Sequence, residues 1–181
     1  MRPLARLLAA APAAALAALV AVAAAPPAAA TTYLPVADPD LLAAASAVVE
    51  ARVLSVAPAP ADGGWPATDY MIEVEKLVAG EVSGRNLLVR LPGGTRPDGS
   101  GMTVYGVPRF GIGEELLLFL GAGDDGTYHV THLMLGAFRE RVVAGRRVLL
   151  RDLAGATAVS LPGRAIDPRT FDPRDAAGFT R

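Results

Sequence analysis

Residues 70–76 read Tyr70-Met71-Ile72-Glu73-Val74-Glu75-Lys76, and their alternation decides the fold. Tyr70, Ile72 and Val74 fall on one face of an extended chain while Met71, Glu73 and Glu75 fall on the other, the period of two that marks a half-buried strand. Upstream, Val48 to Val56 (VVEARVLSV) repeats the pattern, with Val49, Ala51 and Val53 opposite Glu50 and Arg52. Between these strands, Pro58, Pro60, Gly63, Gly64 and Pro66 cannot continue a ladder, so 57–68 is predicted as a loop.

Further strands follow downstream. Gly80 and Gly84 bracket a turn before Leu87 to Leu91 (LLVRL), which Pro92 ends. Gly93, Gly94, Gly99 and Gly101, with Pro97 and Asp98, predict a loop over 93–101, and Met102 to Tyr105 reads as a short strand. Leu116 to Leu120 (LLLFL) is too short for an ordinary helix and reads as a central strand. Gly121 to Gly126 makes a turn, and Tyr128 to Thr131 pairs back. Arg139 to Val143 and Arg147 to Leu150 flank Ala144-Gly145-Arg146 as a terminal hairpin whose cations are expected on a solvated face. Near the start, Asp38 followed by Pro39 is a helix-start pattern, predicting a short helix over Leu41 to Ala45 with Asp38 as its N-cap. The expected fold class is mainly β, a small antiparallel barrel or sandwich with one short N-terminal helix.

Ahead of that region, Met1 to Arg6 carries two cations and no anion, and Leu7 to Ala25 is apolar apart from Pro12. This is the order of a secretory signal, with Ala28 and Ala30 as the small residues a signal peptidase reads and Ala30–Thr31 as the expected cut. The alternative is an uncleaved membrane anchor, since the apolar run is about as long as the shortest spanning helices of roughly 17 residues. Alanine-rich composition and Pro12 weigh against that. The expected organisation is a signal peptide over 1–30, a β-rich domain over 31–159 and a Pro/Arg/Asp-rich tail over 160–181. In the tail Asp167-Pro168-Arg169 is echoed by Asp172-Pro173-Arg174, with Ile166, Phe171 and Phe179 as isolated anchors. A secreted or periplasmic location follows, with membrane contact only if the signal helix stays attached.

Composition excludes several classes of partner. Of 17 cations against 18 acids, Arg2 and Arg6 lie in the signal, so its removal moves the formal charge from −1 to −3. Neither nucleic acid nor an acidic membrane surface is favoured. The chain has no cysteine, so no disulfide framework substitutes for apolar burial.

Few residues suggest chemistry. His129 and His132 are the only histidines. Three apart on a strand they point to opposite faces, and both reach one ion only if the backbone turns between them, so no metal is expected. Asp98-Gly99-Ser100-Gly101 and Asp124-Asp125-Gly126 are oxygen-rich, yet lack the acid spacing of a calcium loop and read as turns. Ser100 sits between glycines without a nucleophile-elbow pattern, and a hydrolase would need one of the histidines beside it. Residues 93–101 lack a phosphate-loop ending, so no nucleotide or other cofactor is expected. Glu114 and Glu115 diverge as adjacent strand residues and read as charges guarding an aggregation-prone run. Trp65 is the sole tryptophan, either an exposed binding anchor or a lid folded over the barrel end. The candidate binding residues are therefore Trp65, Asp98, His129 and His132.

Through Ala47-Val48-Val49-Glu50-Ala51-Arg52-Val53, the strand ending Leu77-Val78-Ala79-Gly80, and the run from Phe110 to Leu120, the chain resembles exported bacterial β-domains that occur alongside matrixin-like metalloproteases. The order of elements is similar to the OB-type barrel of netrin-like and metalloprotease-inhibitor domains. That resemblance implies an OB-like barrel scaffold. It does not carry the inhibitory chemistry, which uses cysteines that this chain lacks. The expected function is a non-enzymatic exported binding or interaction module. The alternatives are an accessory or inhibitory domain whose partner is a secreted protease, and a hydrolase using Ser100 with a histidine.

Overall fold

The computed structural model describes residues 31–60, 64–96, 98–153, 156–160 and 172–175. The expected signal peptide, Ile166, Phe171, Phe179 and the first Asp-Pro-Arg copy lie outside the described residues. Among the described residues, no helix is long and apolar enough to cross a membrane.

The chain is mainly β, and its centre is a closed barrel of five strands. In chain order the elements are β1 (Thr31–Tyr33), α1 (Asp38–Ala44), β2 (Ala47–Pro58), β3 (Ala67–Gly80), β4 (Asn86–Pro92), β5 (Gly94–Thr95), β6 (Gly101–Met102), β7 (Glu115–Ala122) and β8 (Tyr128–Val130). A 3-10 turn over Leu133–Gly136 leads into β9 (Ala137–Val143), β10 (Arg146–Leu150), β11 (Ala156–Ala158) and β12 (Arg174–Asp175). Strand β2 pairs antiparallel with both β3 and β7, β3 pairs with β4, and β8 pairs with β7 and, in parallel at Val89 and Tyr128, with β4. This last pairing closes the ring and decides between the two expected arrangements in favour of the barrel.

Closure follows from bending and burial. The β2–β3 register shifts at Val48/Val49, Glu50/Ala51 and Val53/Ser55, irregularities of the kind that increase twist and let a sheet curl. The alternating residues Val49, Ala51, Val53, Tyr70 and Ile72 line the interior. Strand β7 is apolar on both faces because both are covered. Leu116, Leu118 and Leu120 point into the barrel, while Leu117 and Phe119 join Leu41 of α1, Phe138 of β9 and Leu149 of β10 in a second core on the outer wall. Gly80, at φ +76°, permits the corner after β3, where a Cβ would strike the Ser46 carbonyl.

The structure corrects several expectations. Ala37, not Asp38, occupies the N-cap of α1, and Asp38 turns its carboxylate to Arg151 and Arg174 instead. The glycine-rich 93–101 region contains the small β5–β6 hairpin, and of Met102 to Tyr105 only Met102 is in a strand. The cations of the β9–β10 hairpin do lie on a solvated face, with Arg141, Arg146 and Arg147 exposed and Arg139 mostly covered, and they are also ion-paired: Arg139 and Arg141 reach Glu114, Arg147 meets Glu140, and Arg146 meets Asp175. Three short strands were not expected. Strand β1 pairs in parallel with β11, and β12 adds to β10, so that the second Asp-Pro-Arg copy is tied to the sheet.

Candidate binding site

Two loop-borne structures meet at one end of the barrel. The connection between β2 and β3 is rich in Pro and Gly, so it cannot continue the ladder, and of its described residues Pro60, Gly64 and Trp65 are exposed before Ala67 begins β3. Its Trp65 is 82 % exposed and lines a cleft of about 530 Å³, an arrangement that excludes the lid over the core. The opposite side is formed by Arg96, Ser100, Gly101 and Met102 of the β5–β6 hairpin. Arg96 donates to the Gly64 carbonyl, tying the hairpin to the tryptophan loop, and the Gly93 amide donates to Pro66 O at 2.7 Å.

Asp98 sits at the hairpin tip and holds its shape. The Ser100 amide and hydroxyl donate to its Oδ1 at 2.9 and 2.6 Å. These bonds, the hydroxyl first, hold its carboxyl below the usual carboxylate range. Asp98 is thus an exposed turn residue whose carboxylate already has partners, and it does not itself line the cleft. Ser100 is committed as a donor to this carboxylate, and no hydrogen bond joins it to a histidine among the described residues.

The histidines are placed elsewhere. His129 is exposed on β8, paired with Gly121, where its ring lies so close that a Cβ would strike it. His132 is exposed beyond the strand end, in left-handed conformation at φ 54°. The backbone does turn between them, but among the described residues no group of three or more His, Asp or Glu gathers as a metal site. Asp125 repeats the Asp98 pattern, accepting from the Thr127 amide and hydroxyl at 3.0 and 2.7 Å, and the hydroxyl bond leads in lowering its carboxyl. Glu114 and Glu115 diverge, the first to Arg139 and the second to Arg52. The structure therefore brings Trp65 and the Asp98 hairpin together and leaves both histidines outside that cleft.

Two residues that sequence reasoning did not single out belong to the site. Arg96 and Met102 lie in a stretch read only as loop and strand start, where nothing in spacing signals that a hairpin will face the tryptophan. Arg96 also differs from its peers electrostatically. Among the described residues every Lys and Arg except Arg96 and Arg109 has a carboxylate within 4.0 Å. A second recess, of about 350 Å³, lies between α1 and the end of β3, lined by Leu42, Val48, Val78 and Phe119 with Asp38 at its edge. Comparison with known proteins finds no matching family model and no matching curated sequence.

Proposed function

We propose that the chain is an exported, non-enzymatic binding module on an OB-like barrel, and that it engages an extracytoplasmic protein partner through the Trp65 cleft. The observation that carries this reading is Trp65 itself. A side chain that suits burial is held 82 % exposed beside a cleft, the position of an interface anchor. The OB-like reading is supported by the order of the five barrel strands, first-second-third-fifth-fourth, with the third and fifth parallel. In such barrels the loop between the first two strands contributes to the binding surface, and here that loop carries Trp65. The signal-like N-terminus supports secretion or a periplasmic location.

The test is parallel affinity capture from the extracytoplasmic fraction with the native protein and with Trp65→Ala. The expected result is a partner recovered by the first and lost by the second. Equal recovery by both, or none by either, refutes the reading. A Ser100 hydrolase finds no support in the site, because the hydroxyl is held by Asp98.

A further inference from the structure

We infer that the Trp65 cleft takes a peptide segment in which a carboxylate side chain stands beside an apolar one. This deepens the binding-module reading and rests on it. Ten of the described cations are neutralised by neighbouring carboxylates, whereas Arg96, half-buried on the cleft wall, has no ion-pair partner among the described residues. One of its nitrogens donates to Gly64 O, which orients the guanidinium, and the nearby Asp98 carboxylate feels its charge without closing an ion pair within 4.0 Å. Arg109, the other unpaired cation, lines an adjoining recess against Gly93 and Gly94, on the strand that pairs with Gly101. Two cations without an ion pair among the described residues thus stand at this end of the barrel, and a guanidinium offers the fork that a carboxylate matches.

Apolar surface gives the second element. Trp65, Pro66 and Met102 supply the remaining side-chain lining apart from Ser100. An aromatic ring and an adaptable thioether suit an aliphatic or aromatic side chain. The scarcity of polar groups argues against a sugar chain, which presents many hydroxyls. Ser100 already donates its hydroxyl to Asp98, and Arg96 has spent one donor on Gly64. Two cations without ion pairs, Arg96 and Arg109, are likewise far from the basic stripe that a nucleic acid requires. An acidic-apolar peptide uses both features of the cleft and leaves neither unmatched.

Selection of a randomised displayed heptapeptide library on the native full chain tests this, with recovered peptides titrated by the fluorescence of Trp65. The expected outcome is enrichment of Asp or Glu within two positions of an apolar residue, with affinity falling at least tenfold for the matching Asn or Gln peptides. Arg96→Gln is expected to abolish that discrimination. Arg96→Lys, which keeps the charge and gives up the guanidinium fork, is expected to retain it in part. Thermal unfolding of both variants verifies that they fold. Selected peptides without acidic enrichment, or equal loss of discrimination in the Lys and Gln variants, overturn the acidic-peptide inference while leaving the binding reading intact. The same holds if no peptide is selected and an oligouronate perturbs Trp65 instead. If neither peptide nor oligouronate perturbs Trp65 and the capture experiment also recovers nothing, both fall.

Discussion

Arg151→Met removes a cation whose side chain is only 4 % exposed, and its expected cost follows from what that cation touches. Its Nε donates to Leu135 O at 2.8 Å, one terminal nitrogen meets Asp38 at 2.9 Å, and the guanidinium lies 4.3 Å from the centre of the Phe138 ring. Burial lowers the Arg151 pKa, the nearby Asp38 opposing it, so the charge is held at some desolvation cost. Losing a hydrogen bond from a charged group is worth about 1.5–3 kcal/mol. A desolvated cation–π contact contributes up to about 2 kcal/mol. Asp38 keeps Arg174 at 2.9 Å, so it is not stranded, and the methionine recovers part of the apolar packing. The expected net loss is roughly 3 kcal/mol, within the range for breaking a buried pair. With a urea slope of about 2 kcal/mol/M, the midpoint falls by about 1.5 M. The control is Arg52→Met, whose side chain is 42 % exposed between Glu75 and Glu115, so that solvent screens its ion pairs and their loss is expected to cost far less. Equilibrium urea unfolding of both variants decides the matter. A loss below about 1 kcal/mol at Arg151, or equal losses at the two positions, refutes the claim that this cluster fastens α1 to the outer wall.

Other outcomes follow from the same geometry. Leu118→Ala, at a fully buried position in the barrel interior, is expected to cost about 3–5 kcal/mol by calorimetry or urea. Gly80→Ala combines a positive φ with a Cβ on the Ser46 carbonyl, so it is expected to lower stability by at least about 1 kcal/mol and to weaken amide protection at the corner after β3. Trp65→Ala is expected to change stability by less than about 0.5 kcal/mol, because the side chain is exposed, which keeps it a clean probe of binding. The lowered carboxyls of Asp98 and Asp125 stabilise their turns above the unfolded value of about 3.9, and that contribution is lost as the pH falls through their folded values. An NMR titration is therefore expected to place both midpoints below about 3.9, with Ser100→Ala moving only the Asp98 midpoint upward. A midpoint at the ordinary value in the native protein contradicts the turn geometry.

Local pattern located most of the barrel. The Tyr70 to Lys76 and Val48 to Val56 stretches name their inner faces by period-two alternation, and Leu87 to Leu91 and Leu116 to Leu120 are strands as read from short apolar runs bounded by glycine or proline. The short strands β1, β11 and β12 were not legible. Two or three residues carry no period, and they become strands only when a distant segment offers its backbone. Asp38 shows the same limit at a single side chain: its local pattern says N-cap, yet Arg151 and Arg174, more than a hundred residues away, bind its carboxylate more strongly than an amide would.

The candidate site divides along the same line. Trp65 was visible in the sequence because a lone tryptophan in a Pro/Gly loop is conspicuous, and Asp98 because Asp-Gly marks a turn. Whether the indole covers the core or faces solvent depended on the packing of the barrel end. The pairing of Arg96 with that cleft, and its lack of an ion pair among the described residues while all its peers but Arg109 have one, required the whole charge map. Hydrophobic periodicity is local and survives in the sequence; ring closure, cleft formation and charge compensation are sums over residues far apart in the chain, and only the folded chain evaluates them.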